Sequence, residues 1–75
     1  MDTLNTLKDN EKAVVLELTA RDETRRRLQD IGLINGTQVV CLLHSPLGDP
    51  VAFYIRGAVI ALRSEDAAGV IVRKI

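Results

Sequence analysis

The chain has 75 residues, one cysteine, two aromatic residues, and 10 basic against 10 acidic side chains. A formal charge of zero sets up no long-range field toward nucleic acid or anionic lipid, which excludes a general polyanion binder, and the lone Cys41 cannot close an internal disulfide, which fits a reducing compartment. The length leaves room for one domain over residues 1–75, burying about 60% of the surface that its unfolded chain exposes and needing a simple aliphatic core.

No apolar run approaches the roughly 20 residues of a membrane-spanning helix; Val39 to Leu43 is among the longest. The amino terminus, MDTLNTLKDNEK, is polar and acidic instead of basic then apolar, unlike a signal peptide. The expectation is a cytoplasmic protein without direct membrane insertion.

In chain order, an Asp9-Asn10 turn leads into Lys12 to Leu18, a β-branched and leucine run that reads as the first strand. Thr19-Ala20-Arg21-Asp22 has the spacing of a capping box, a hydroxyl with a carboxylate three residues on. The helix that follows carries Thr24, Leu28 and Ile31 as one apolar stripe, and Gly32 is placed to end it in the left-handed conformation. Asn35-Gly36 turns the chain, with φ > 0 expected at Gly36. In the strand Thr37 to His44, strict alternation puts Val39, Cys41 and Leu43 on one face and Val40, Leu42 and His44 on the other.

Two prolines and a glycine make Ser45 to Pro50 a loop. Val51 to Arg56 returns as a strand with Phe53 inward and Tyr54 outward, Gly57 bends it, and Val59 to Leu62 continues the sheet. Ser64 to Ala67 suits a single capped helical turn, and Val70 to Arg73 closes the sheet. The fold class is mainly β, a small SH3-like barrel of five or six strands with one inserted α-helix and a short C-terminal helical turn. An OB-fold is the nearest alternative on pattern, but it needs longer strands.

Three segments, RRRLQDIGLINGT from Arg25, SPLGDPVAFY from Ser45 and GAVIALRSEDA from Gly57, occur in an order that resembles the FeoA family of ferrous iron transport. Asn35-Gly36 stands where many members carry Pro-Gly, and Asp9-Asn10 where the first turn usually has glycine; both keep the turn chemistry. The resemblance implies the same SH3-like fold. It also implies a non-enzymatic accessory protein of bacterial ferrous iron uptake, acting on the cytoplasmic GTPase-bearing part of the membrane transporter FeoB. The alternative is a stand-alone transition-metal-binding or metal-sensing module, because FeoA-like domains also form the carboxyl end of metal-dependent repressors. A repressor needs a DNA-reading helix-turn-helix ahead of the domain, and this sequence contains none.

Among the candidate site residues, helical geometry places Arg26 opposite Leu28, beside Glu23 and Asp30, as a solvated ion-pair residue. Arg25 and Arg27 flank the apolar stripe with their guanidinium groups outward, and are candidates for an acidic partner surface. Cys41 and His44 have a C-x-x-H spacing, but an odd offset on a regular strand sends them to opposite faces, so Cys41 reads as a core residue. His44 with Asp49 across the loop would make only a weak two-ligand site for ferrous iron or another transition metal, with no further ligand nearby; no cofactor is otherwise expected.

One histidine and one core cysteine give no nucleophile–base pair. Adjacent Phe53 and Tyr54 give no stacking platform for nucleic acid. The stiff loop carrying Pro46, Leu47 and Asp49 either presents Leu47 outward as a docking tip or folds it back over the barrel end. Together with Arg25, Arg27 and the exposed aromatic Tyr54, it forms the expected partner-binding surface.

Overall fold

A computed structural model describes residues 1–75. Its six strands are β1 (Asp2–Thr3), β2 (Lys12–Leu18), β3 (Gln38–His44), β4 (Val51–Ile55), β5 (Ala58–Leu62) and β6 (Val70–Lys74). Helix α1 (Asp22–Asp30) follows β2, and α2 (Ser64–Ala67) follows β5. All pairings are antiparallel, in the order β1-β6-β2-β3-β4-β5. This is the mainly β, SH3-like arrangement with an inserted helix and a short second helix that the sequence predicts. Neither helix is long and apolar enough to cross a membrane.

The core is a single cluster of 15 buried residues, all apolar, including Phe53, Val15, Val39, Cys41 and Val72 from the sheet and Leu28 from α1. The sequence places the first strand at Lys12, but β1 and a 3₁₀ turn over Leu4–Thr6 precede it. Leu4 and Leu7 are both buried there. Three residues make one 3₁₀ turn, so an L-x-x-L spacing projects both leucines to the same side.

The capping box expected at Thr19 does not form. Arg21 precedes the first residue of α1 and makes no side-chain cap bond, and Asp22 takes a positive φ of 54°. The helix end does follow the expectation. Gly32 has φ 101°, its N–H donates to the Gln29 carbonyl at 3.0 Å, and the Leu33 N–H donates to the Leu28 carbonyl at 3.0 Å. This pair of bonds is a Schellman motif, and its two leucines are buried together in the core.

The alternation expected along β3 breaks after Cys41. Cys41 pairs with Phe53 but Leu43 pairs with Ala52, so Leu42 is the extra residue of a β-bulge. Beyond the bulge the faces exchange. Leu43 turns outward, 55% exposed, and His44 falls opposite the buried Val51, on the face that Cys41 occupies.

The β4–β5 hairpin turns through Arg56 and Gly57, whose φ values of 49° and 87° are those of a type I′ turn. The Arg56 side chain lies over Gly32, where an added Cβ would fall 2.2 Å from Arg56 Cδ. The hairpin thereby rests on the end of α1.

Candidate functional site

One cluster of functional side chains is built by the turn before β2 and by the bulged end of β3. Asn10 holds φ 71° in this turn, and its N–H donates to the Cys41 carbonyl at 2.6 Å. The Cys41 N–H returns a bond to the Glu11 carbonyl at 2.9 Å. These bonds place Asp9 over the end of β3, where its Oδ1 meets His44 Nδ1 at 2.6 Å. Ligand atoms of Asp9, Cys41 and His44 all lie within 4.8 Å of one another.

Two sequence expectations change as a result. Cys41 is the buried core residue expected, yet it is not separated from His44, because the bulge cancels the odd offset between them. His44 finds Asp9, far away in sequence, while the Asp49 carboxylate accepts the Ser64 N–H at 2.7 Å. His44 therefore meets a different carboxylate, Asp9, and is joined by Cys41, which strict alternation sets on the opposite face. Burial pushes the Cys41 thiol pKa up, and the negative charges of Asp9 and Glu11 push it the same way. Left to itself, the thiol stays protonated at neutral pH and is a poor nucleophile.

The loop Ser45–Pro50 lies at the same end of β3. The Gly48 N–H donates to the Ser45 carbonyl at 2.8 Å, and the Ser45 hydroxyl donates to the Pro50 carbonyl. With Asp49 bound to the start of α2, the loop is tied at several points. Leu47 at its tip is 95% exposed, so it points outward and does not fold over the barrel end. Pro46 beside it is exposed as well.

Tyr54 is 45% exposed on the outer face of β4 and pairs across the ladder with Val59, itself 67% exposed. Leu43 continues this face through its partner Ala52, which in turn pairs with Ala61. The result is an apolar outer face on β3–β5, with Phe53 buried on the opposite side of the same sheet. Strand β5 pairs only with β4, so its other edge is free. Between that edge and α1 runs a groove of about 320 Å³, floored by Leu28, Ile31, Ile60 and Leu62 and edged by Arg27 and Asp66.

The three arginines divide differently from the sequence expectation. Arg25 Nη1 donates to the Leu18 carbonyl at 2.8 Å, linking α1 to the end of β2. Arg27 approaches Asp66 at 3.5 Å, a pair that spans the groove from α1 to α2. Arg26, expected to pair with neighbouring carboxylates, makes no ion pair within 4.0 Å. The acids on α1 itself are all exposed to competing water, which weakens their attraction for Arg26.

A bent antiparallel sheet with a helix inserted after its first long strand, an apolar outer face and a stiff apolar loop tip define a small SH3-like domain. Residues 3–74 match the FeoA domain, and the chain belongs to this family. Over 65 residues it is 32% identical to the Fe(2+) transport protein A/Fe(2+) transporter FeoB fusion protein of Porphyromonas gingivalis, a match that spans 87% of this chain and 8% of the fusion protein.

The solution structure of FeoA from Chlorobium tepidum superposes with a TM-score of 0.91 at 34% identity, covering 99% of this chain and 70% of that one. The crystal structure of Stenotrophomonas maltophilia FeoA complexed with zinc, described as a prokaryotic SH3 domain protein, superposes with a TM-score of 0.86 at 30% identity. That alignment covers 97% of this chain and 91% of the other.

Proposed function

We propose that residues 1–75 act as a single non-enzymatic accessory domain of bacterial ferrous iron uptake, docking from the cytoplasm on the GTPase-bearing region of a FeoB-like membrane transporter. The observation that carries this reading is Leu47, almost fully exposed on a tethered loop that leaves β3 just after Leu43, a member of the apolar outer face with Tyr54 and Val59. A preorganised apolar anchor loses little conformational entropy on binding, so burying it favours a specific partner.

The choice of partner is supported by the Porphyromonas gingivalis relative, whose name joins transport protein A and FeoB in one fusion. Joining two modules in one chain turns their encounter into an intramolecular event, which is useful when the modules act on each other.

The test is titration of the cytoplasmic region of the cognate transporter with this protein, with and without a GTP analogue. Saturable binding that weakens in a Leu47→Asp variant is expected. Absence of binding in both nucleotide states, with both proteins folded, overturns the proposal.

A further inference from the structure

We propose that Asp9, Cys41 and His44 form a three-ligand site for a borderline divalent transition metal of the Fe²⁺, Co²⁺ and Zn²⁺ class, with its fourth position open to solvent. The three side chains come from two segments locked together by the Asn10–Cys41 and Cys41–Glu11 backbone bonds. Their ligand atoms already lie within 4.8 Å of one another. Metal–ligand bonds of about 2.0–2.3 Å in a tetrahedron hold ligand atoms roughly 3.3–3.8 Å apart. The Asp9–His44 contact of 2.6 Å must therefore open.

This movement is available through side-chain torsions, because the Asp9 and His44 side chains are partly exposed and Cys41 alone is fixed by the core. The thiol makes only a long contact of 3.8 Å to the Leu7 carbonyl, which leaves its lone pairs free. A buried sulfur beneath two exposed ligands gives the site a floor and a mouth.

The chemistry of the set selects the ion. A thiolate and an imidazole favour borderline transition metals over Mg²⁺ and Ca²⁺, which take oxygen ligands. On binding, the Cys41 S–H bond breaks, sulfur keeps the electron pair to bind the metal, and the proton leaves to solvent. A thiolate, a carboxylate and a neutral imidazole then balance a divalent cation. The site does not depend on docking, since a protein that binds no transporter could still hold the ion.

Co²⁺ added to the reduced full chain is the probe. The expected result is one equivalent bound, with a thiolate-to-cobalt charge-transfer band in the near ultraviolet that Zn²⁺ abolishes by displacement. Cys41→Ser is expected to remove the band. Because that change falls in the core, the exposed ligands supply a second test. His44→Ala and Asp9→Asn, checked for a native circular dichroism spectrum, should each weaken Co²⁺ binding by about tenfold or more, at least the loss typical of disturbing a metal's outer shell. Asp49→Asn should leave it unchanged. A saturating titration without the charge-transfer band, or parental affinity in folded His44→Ala and Asp9→Asn proteins, overturns the proposal.

Discussion

The Asp49 carboxylate accepts the backbone N–H of Ser64 at 2.7 Å, so the loop between β3 and β4 caps the second helix. Arg63, which precedes that helix, makes no side-chain cap bond of its own. Asp49 thus anchors one end of the loop to the body of the domain, while Leu47, two positions earlier, stands free in solvent.

Replacing Asp49 with alanine leaves the first turn of α2 uncapped and is expected to cost about 1 kcal/mol, the usual value of an N-terminal cap. Asp49→Asn keeps an acceptor oxygen and should retain most of the stability. Urea midpoints compare the two variants directly; an alanine variant as stable as the parent would mean that the loop does not hold α2.

Leu28 is the buried residue of α1, and its truncation to alanine removes contacts to the sheet that no other helical side chain replaces. A loss of about 2–5 kcal/mol is expected, depending on how far the site collapses around the cavity. For a small domain this is a large share of the total. A thermal midpoint close to that of the parent would contradict the packing of α1 through this face.

Gly32 and Gly36 both hold positive φ, at 101° and 92°, but only Gly32 has a neighbour in the way. Alanine at either position takes on the left-handed strain of roughly 1–2 kcal/mol. At Gly32 it must also displace the Arg56 side chain, so Gly32→Ala should be the more damaging. In an Arg56→Ala background the difference should shrink, a coupling that a double-mutant cycle of denaturation midpoints measures. Equal losses in both backgrounds would show that Arg56 does not rest on the glycine.

The strand positions, the glycine that ends α1 and the inward Phe53 with outward Tyr54 are legible in the sequence because each rests on local rules, alternation or backbone freedom within a few residues. The bulge at Leu42 is not legible. No glycine or proline marks it, and the strand reads as regular until the partner register is seen. Leu43 and His44, the two positions of β3 beyond the bulge, exchange faces, so strict alternation alone sends Cys41 and His44 to opposite ones. Asp9 with His44, and Asp49 with Ser64, are pairs distant in sequence whose meeting depends on the folded sheet. Leu4 and Leu7 escape notice because the polar residues around them mask a single apolar turn.

Glu11 connects this end of the fold to pH. Its carboxylate accepts the Lys8 N–H at 2.6 Å and lies 3.5 Å from Lys74 Nζ, and its pKa is lowered, chiefly by the Lys8 bond. A carboxyl whose folded pKa is depressed adds stability that is fully present above its unfolded pKa and is lost as pH falls through the folded value. Glu11→Gln should therefore be less stable than the parent near neutrality, and the gap should narrow in acid. Urea midpoints that differ by a constant amount across the carboxylate range would rule out this linkage.

The docking surface makes the last prediction, and the geometry changes which variants test it cleanly. Leu47 touches nothing that the fold needs, so Leu47→Asp should leave the circular dichroism spectrum and the thermal midpoint intact while weakening transporter binding by roughly 1–3 kcal/mol, as expected for an interface anchor. Tyr54→Ala, on the same outer face, should act in the same direction. Arg25→Glu is a poor probe alone, since it also breaks the bond to the Leu18 carbonyl and loosens α1 from β2. Arg26 has no ion-pair partner within the chain, so a loss of binding in Arg26→Glu would report on the partner's charge without disturbing an internal pair. If folded Leu47→Asp and Tyr54→Ala proteins bind the transporter as tightly as the parent, docking does not use the loop and the β3–β5 face. A loss confined to Arg27→Glu would then move the contact to the groove between α1 and β5.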